Sequence, residues 1–166
     1  MTNQFSIDEN NYLFFNSSDR YATVNLSGDI QSLLNYDNKC QPYCFYRLFY
    51  RKSIVNSSSY IMDVTSIKEM NFSSTELAEH CYQQMFENCS KLNNSIYKLP
   101  AMIMSDYCYA GMFKGCSSMK NAPELPAITL APYCYGYIKR IYEEDDYYYD
   151  CYYGMFSECS LLTKAP

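Results

Sequence analysis

One short pattern recurs along this chain at nearly constant spacing, and it constrains the fold more than any other feature. Each copy begins with a Cys-Tyr pair. Counted from that first cysteine, a Met-Phe pair begins four residues later and a second cysteine follows eight residues later. The copies begin at Cys81, Cys108 and Cys151, and their second cysteines are Cys89, Cys116 and Cys159. A weaker copy begins at Cys44, with Lys52 in place of the second cysteine. The spacing is 27 residues from Cys81 to Cys108 and 26 from Cys108 to Cys134, so the fourth copy is split between Cys134 and Cys151.

A unit of this length cannot bury its own apolar face, but copies stacked on one another can. We therefore expect equivalent side chains to form continuous interior rows, with Phe86, Phe113 and Phe156 in one of them. The cysteines are interpreted as two buried rows in which the thiol acts as a small apolar group. These rows are Cys81/Cys108/Cys151 and Cys89/Cys116/Cys159. Cys40 and Cys134 fall outside both rows and are expected to be exposed thiols.

A disulfide stays open as an alternative at this point, whereas the spacing of the cysteines disfavours a zinc site. A disulfide between Cys108 and Cys116 would need Cα atoms within about 7 Å, which helical turns disfavour and a tight bend allows. A zinc site would usually have two to four residues between paired ligands, whereas seven separate the two cysteines of each copy. The chain has nine cysteines, so they cannot all pair internally.

Each unit is predicted to contain one strand and one short helical segment. Residues 117–125 predict a short strand, because Pro123 and Pro126 prevent helix continuation and favour extended backbone before them. Residues 107–113 have apolar side chains at three- and four-residue steps, which predicts one or two helical turns. Gly115 is expected to end that helix in a left-handed conformation.

The repeat units resemble the BspA-like leucine-rich repeats of gut bacteria and their phages. The residues that carry the resemblance are 108–133, CYAGMFKGCSSMKNAPELPAITLAPY, and 151–166, CYYGMFSECSLLTKAP, and it covers residues 40–166. It implies an α/β repeat fold, a short, curved right-handed leucine-rich-repeat solenoid with a strand plus a short helix per unit. It also implies attachment to surfaces or partners. The first unit departs from the family pattern because it lacks its second cysteine, the fourth is interrupted, and the last repeat is incomplete.

Residues 1–39 do not follow the repeat and are predicted to be a small β-rich N-terminal cap or domain. Residues 12–15 and 21–26 predict strands, the second with Ala22, Val24 and Leu26 alternating. Residues 27–29 predict a turn, and residues 30–34 predict a short helical turn. A stack of repeats needs a cap at its first unit, and this segment is in the right place.

Residues 134–150 interrupt the fourth unit and are predicted to form a projecting loop. One interpretation is a solvated loop whose tyrosines have no binding role. The functional interpretation is a contact patch, because tyrosine offers a large amphipathic area at low entropic cost. Its candidate binding residues are Tyr137, Tyr142, Glu143, Glu144, Asp145, Asp146, Tyr147, Tyr148 and Tyr149. A calcium loop is disfavoured, because alternating oxygen donors and a glycine at the bend are missing.

Composition and motifs exclude several classes of function. The formal net charge of −5 argues against nucleic-acid binding, and no apolar stretch reaches the roughly 18 residues of a membrane helix. The one histidine, His80, precedes a cysteine assigned to packing, so no catalytic, cofactor or metal site is predicted. We expect a non-enzymatic module that binds a surface protein or glycan, located on a virion or outside a cell, with no signal peptide in the sequence. The alternative is a structural part of a virion or other large assembly that packs laterally on other subunits.

Overall fold

The computed structural model describes residues 4–7, 13–17, 19, 21–34, 40–51, 60–61, 63–142 and 148–163. The strands are β1 (Gln4–Ile7), β2 (Leu13–Ser17), β3 (Thr23–Asp29), β4 (Tyr60–Ile61), β5 (Asp63–Asn71), β6 (Gly136–Tyr142) and β7 (Tyr148–Gly154). A 3-10 helix, Ile30–Leu34, follows β3. Strands β1, β2 and β4 form an antiparallel sheet, β3 and β5 a parallel pair, and β6 and β7 an antiparallel pair.

The predicted leucine-rich-repeat solenoid, with a strand plus a short helix per unit, is wrong. The described residues contain no α-helix and one two-stranded parallel sheet. Residues 117–125, predicted as a strand, contribute only a single parallel bridge, from Glu124 to Lys98. Residues 107–113, predicted as helical turns, form consecutive tight turns instead.

Each Cys-Tyr-x-x-Met-Phe copy forms a run of tight turns, which we call a turn run. Turn run 1 covers residues 42–49, turn run 2 covers 79–88, turn run 3 covers 106–115, and turn run 4 combines 132–135 with 155–158. Within a run every second amide bonds the carbonyl three residues back, as Met85 N does with Tyr82 O at 3.3 Å. Every fourth residue is left-handed, as at His80 (φ 56°) and Gln84 (φ 56°). A recurring left-handed residue cannot be part of an α-helix, so the segment remains a chain of turns.

The remaining amides bond the next turn run, and this ladder joins the repeats. Amides of Leu77, His80, Tyr82, Phe86 and Asn88 donate to carbonyls of Ile103, Asp106, Cys108, Met112 and Lys114 at 2.7–3.1 Å. Amides of Met104, Tyr107, Tyr109, Phe113 and Gly115 donate to carbonyls of Thr129, Pro132, Cys134, Met155 and Ser157 at 2.8–3.3 Å. The ladder amides of each turn run therefore donate toward the following run, whereas between the runs some amides donate back, as Ile128 N does to Met102 O at 3.2 Å.

The predicted row of phenylalanines is confirmed, and two more aromatic columns lie beside it. The Phe column is Phe49–Phe86–Phe113–Phe156, with ring centroids 5.4, 5.6 and 5.8 Å apart. The Tyr column is Phe45–Tyr82–Tyr109–Tyr135, at 5.3, 5.7 and 6.3 Å. The outer column is Tyr43–His80–Tyr107–Tyr133, at 4.4, 4.8 and 5.1 Å. Repetition places the same ring above itself, and near-parallel stacking at these distances is favourable.

The second-cysteine row is confirmed as a buried row for Cys89 and Cys116, whereas Cys159 in the last layer is half-buried. The structure also supplies a reason for cysteine at these positions. The thiols of Cys89, Cys116 and Cys159 donate to carbonyls of Phe49, Phe86 and Phe113 at 3.3, 3.2 and 3.1 Å. Each thiol thus bonds a backbone group of the preceding turn run, which an apolar side chain of the same size cannot do. Cys108 and Cys116 are both free thiols, so the disulfide alternative is not observed.

The first-cysteine row was predicted with the wrong last member. Cys134 O accepts the amide of Tyr109 as Cys108 O accepts that of Tyr82, so Cys134 is the equivalent of Cys108. Cys151 lies in β7, opposite Lys139. Cys40 and Cys134, expected to be exposed thiols, are both buried. Cys40 lies against Ser74 Oγ at 3.3 Å, in a buried polar cluster with Gln31 and Tyr82.

The N-terminal segment agrees with the sequence prediction in its elements. The strands predicted at 12–15 and 21–26 correspond to β2 and β3, and the helical turn at 30–34 is the 3-10 helix. Ala22, Val24 and Leu26 are half-buried between exposed neighbours, as alternation requires. The turn predicted at 27–29 is wrong, because β3 continues through these residues and Gly28 has φ 97° within it. The boundary at residue 39 stays a prediction, although β3 pairs with β5 beyond it.

Candidate functional site

The interruption of the fourth repeat is a β-hairpin rather than a loop. Strands β6 and β7 pair in register from Gly136 opposite Gly154 to Tyr142 opposite Tyr148. The inserted segment is 137–153, not 134–150, because both flanks belong to the stack. Tyr135 stacks on Tyr109, and Phe156 stacks on Phe113.

The structure places four of the nine candidate binding residues in this hairpin. Tyr137 lies in β6 opposite Tyr153, and Tyr142 lies at the far end of β6 opposite Tyr148. Tyr149 lies in β7 opposite Ile141. Glu143, Glu144, Asp145, Asp146 and Tyr147 lie outside the described residues. The hairpin therefore brings four of the predicted tyrosines into one two-stranded ribbon, and their role in contact remains a prediction.

A buried ion pair lies at the base of the hairpin. Lys114 Nζ is 2.8 Å from Glu87 Oε1 and 3.7 Å from Glu158 Oε1. The same Nζ lies 4.4 Å from the centroid of the Tyr153 ring. Lys114 thus links turn runs 2, 3 and 4 to the last residues of the hairpin. This ion pair was not predicted from the sequence. The signal was present, because Glu87 and Lys114 occupy the same repeat position and carry opposite charges.

Turn run 4 leaves apolar surface uncovered on its outer side. Leu130 is 62% exposed, whereas the equivalent Leu77 and Met104 are 4% and 5% exposed. Tyr135, Phe156 and Leu162 are half-buried, whereas their equivalents in the two preceding runs are buried. We call this outer side the end face, formed by Leu130, Tyr133, Tyr135, Phe156 and Leu162. A large uncovered apolar patch on a protein surface is typical of an interaction site.

An apolar cavity lies at the opposite end of the stack. It has a volume of about 230 Å³ and is lined mainly by Leu26, Ile30, Leu33, Leu48 and Phe49. Cavities that bury a drug-sized ligand have roughly 300–1,000 Å³. This cavity is below that range and lacks a cluster of charged groups, so it is not the candidate site.

His80 lies between two aromatic rings, and both of its ring nitrogens have polar neighbours. Its ring stacks between Tyr43 and Tyr107, its Nδ1 bonds Gln83 Oε1, and its Nε2 lies 3.1 Å from Glu79 Oε1. The neighbouring Cys81 is fully buried. Among the residues that the structure describes, no three His, Cys, Asp or Glu side chains lie where they could hold a metal ion. Within the same part of the chain, no helix has the length and apolar character to cross a membrane.

The buried thiols predict a loss of stability at alkaline pH. Burial raises the pKa of Cys108 to about 12 from the ordinary value of 9.0. The thiol therefore contributes stability that is fully present below pH 9 and is lost as the pH rises toward 12, because the unfolded state ionises first. For one such thiol we expect a loss of about 2 kcal/mol at pH 10.5.

Urea unfolding at pH 8 and pH 10.5 measures this effect, with Cys108→Ala as the matched variant. The difference in unfolding free energy between the two pH values should be smaller in the variant. An equal difference in both proteins would show that Cys108 ionises as readily in the folded chain as in the unfolded one.

The described surface offers aromatic rings, apolar side chains and backbone amides, which suit non-covalent contact. Comparison with family models, with curated proteins and with solved structures finds no match to this chain.

Proposed function

We propose that this protein is a non-enzymatic interaction module that binds a surface protein or glycan through the β6–β7 hairpin. One observation carries the proposal: the stack closes on both sides of the hairpin without help from it. Tyr135 and Phe156 stack on Tyr109 and Phe113, which are only four residues apart. An insertion that the fold does not need is available for contact with a partner.

The composition of the insertion favours protein or glycan contact. Residues 137–153 include seven of the twenty tyrosines of the chain, with five acidic and two basic residues. Tyrosine-rich segments provide a large contact area with few rotatable bonds. The excess of acids favours a partner with a basic surface, because complementary charge raises the rate of association.

Deleting residues 137–153 tests the proposal sharply. The deletion joins Gly136 to Gly154 and produces Cys-Tyr-Gly-Gly-Met-Phe-Ser-Glu-Cys, which matches the uninterrupted Cys-Tyr-Ala-Gly-Met-Phe-Lys-Gly-Cys of residues 108–116. We expect the variant to remain folded by circular dichroism and to lose binding on a glycan array and to intact bacterial cells.

A second variant keeps the hairpin and changes only three of the candidate tyrosines. Replacing Tyr147, Tyr148 and Tyr149 by serine should weaken the same binding while the strand pairing of β6 and β7 persists. If the deletion variant folds and binds the same glycans or cells as the full chain, the hairpin is not the binding site.

The relationship to BspA-like repeat proteins and a location on a virion or cell surface belong to this proposal. Gene neighbours that encode capsid or tail proteins would support a virion component. The alternative function, a structural part of a larger assembly, is favoured by a different observation. Turn run 4 has an uncovered end face, and an assembly would cover it.

A further inference from the structure

We propose that the end face binds a polypeptide segment that joins the stack as one more parallel turn run. This interaction surface is separate from the β6–β7 hairpin. It is defined by backbone amides as well as by side chains, so the kind of partner can be stated.

Turn run 4, together with Leu130 just before it, carries a row of amides on the outer side of the stack. In each of the two preceding repeats, one amide just before the turn run and four within it donate at the same repeat positions to the following repeat. The equivalent amides in the last repeat are those of Leu130, Tyr133, Tyr135, Phe156 and Glu158. None of these five has a backbone acceptor among the residues that the structure describes. They therefore form a row of donors with the spacing that joins the earlier runs.

The side chains between those amides leave apolar surface exposed on the end face. Leu130, Phe156 and Leu162 occupy positions that are buried in the earlier runs and are partly or largely exposed here. Tyr133 and Tyr135 each end an aromatic column, with one ring face stacked inside the protein. A further layer would bury these groups as the earlier layers are buried. Burial of apolar surface is worth roughly 25 cal/mol per Å².

A second copy of this chain joined end face to end face does not suit the site. Such a pairing would place the amide donors of turn run 4 against the same donors of the other copy. The first layer cannot serve either, because Phe45 heads the Tyr column and is already only 2% exposed. The ring of Phe45 is therefore covered within the chain, so Tyr135 of a second copy cannot stack on it, although Tyr43 at the head of the outer column is 54% exposed.

The partner is thus a segment that presents backbone carbonyls at every second residue and an apolar or aromatic side chain at every fourth. These are the spacings with which turn run 3 meets turn run 2. Strand-like addition of a peptide to an open hydrogen-bonding edge is a recurrent mode of recognition, in which main-chain bonds give affinity and side-chain pockets give specificity. A segment of the same repeat type meets both requirements.

The test supplies such a segment as a tethered probe. A copy of residues 97–123 is added after Pro166, because Pro166 stands seven residues after Cys159 as Ile96 does after Cys89. Tethering raises the effective concentration of the probe. Hydrogen exchange of the amides of Leu130, Tyr133, Tyr135, Phe156 and Glu158 is then measured by NMR. We expect exchange to slow by at least about tenfold, as it does when an open edge becomes ordered.

Matched variants decide whether protection comes from stacking on the end face. Leu130→Glu should abolish the protection, whereas Leu33→Glu should preserve it, because both leucines are 62% exposed and only Leu130 lies on the end face. Unchanged exchange of the five amides in the extended chain would overturn the proposal. When the same segment is added to the chain that lacks residues 137–153, the five amides should be protected to the same degree. Stacking on the end face is therefore tested independently of binding through the hairpin.

Discussion

Replacing Phe113 by alanine is expected to lower the free energy of unfolding by about 3–5 kcal/mol. The ring is fully buried and stacks between Phe86 and Phe156, with centroids 5.6 and 5.8 Å away. Alanine would leave a cavity that rigid neighbours above and below cannot close. The loss of stability would extend to both neighbouring turn runs, because Phe86 and Phe156 each lose the ring on which they stack. Urea denaturation followed by far-UV circular dichroism measures it.

Two control substitutions make the Phe113 result specific to stacking. Phe156→Ala removes the same ring from the last layer, which is covered on one side only, and should cost clearly less. Tyr97→Ala removes an aromatic ring that is 78% exposed and should change stability by less than about 0.5 kcal/mol. Equal losses for Phe113→Ala and Phe156→Ala would contradict the layered arrangement, because depth in the stack would then have no effect.

Replacing Lys114 by methionine is expected to destabilise the chain by about 3–5 kcal/mol, as removal of one partner from a buried ion pair does. Glu87 is only 5% exposed, and its Oε1 lies 2.8 Å from Lys114 Nζ. Without the ammonium group, the carboxylate would be buried close to the hairpin base without its cation. The substitution also removes the cation from the face of the Tyr153 ring.

The double variant Lys114→Met with Glu87→Gln separates charge from packing. Because it removes both charges, it should recover much of the stability that the single variant loses. Chemical denaturation of the wild type, both single variants and the double variant completes the cycle. If the single Lys114→Met variant were as stable as the wild type, the pair would be solvated, and its link to the hairpin would have no energetic weight.

These two substitutions act on different parts of the molecule. Phe113 belongs to the stack that positions both candidate surfaces, whereas Lys114 connects that stack to the base of the hairpin. A folded Lys114→Met protein with weakened glycan or cell binding would indicate that hairpin orientation contributes to recognition. A Phe113→Ala protein should lose hairpin and end face together, because both depend on turn run 4 resting on turn run 3.

Part of the architecture could be predicted from the spacing of residues alone. Side chains that recur every 26 or 27 residues predict stacked copies, and the Phe column and the second-cysteine row follow from that spacing. The left-handed conformation of Gly115 was also predictable, and the structure gives it φ 74°. The hairpin strands were not anticipated. Their tyrosines and acids indicated a contact surface without indicating strand pairing.

The sequence by itself determined which residues are equivalent, because identical side chains at a fixed period have to meet when copies stack. Only the tertiary structure decided what backbone each copy adopts. A four-residue turn and an α-helical turn of 3.6 residues place apolar groups almost identically over eight residues, so periodicity does not distinguish them. The hydrogen-bond ladder between neighbouring turn runs does distinguish the two, because every second amide donates to the next run and cannot form a helical hydrogen bond. The tertiary structure likewise decided that Cys134, not Cys151, follows Cys108 in the first-cysteine row. The position of the cysteine carbonyl in the ladder, not the tyrosine next to the cysteine, determines which residue belongs to that row.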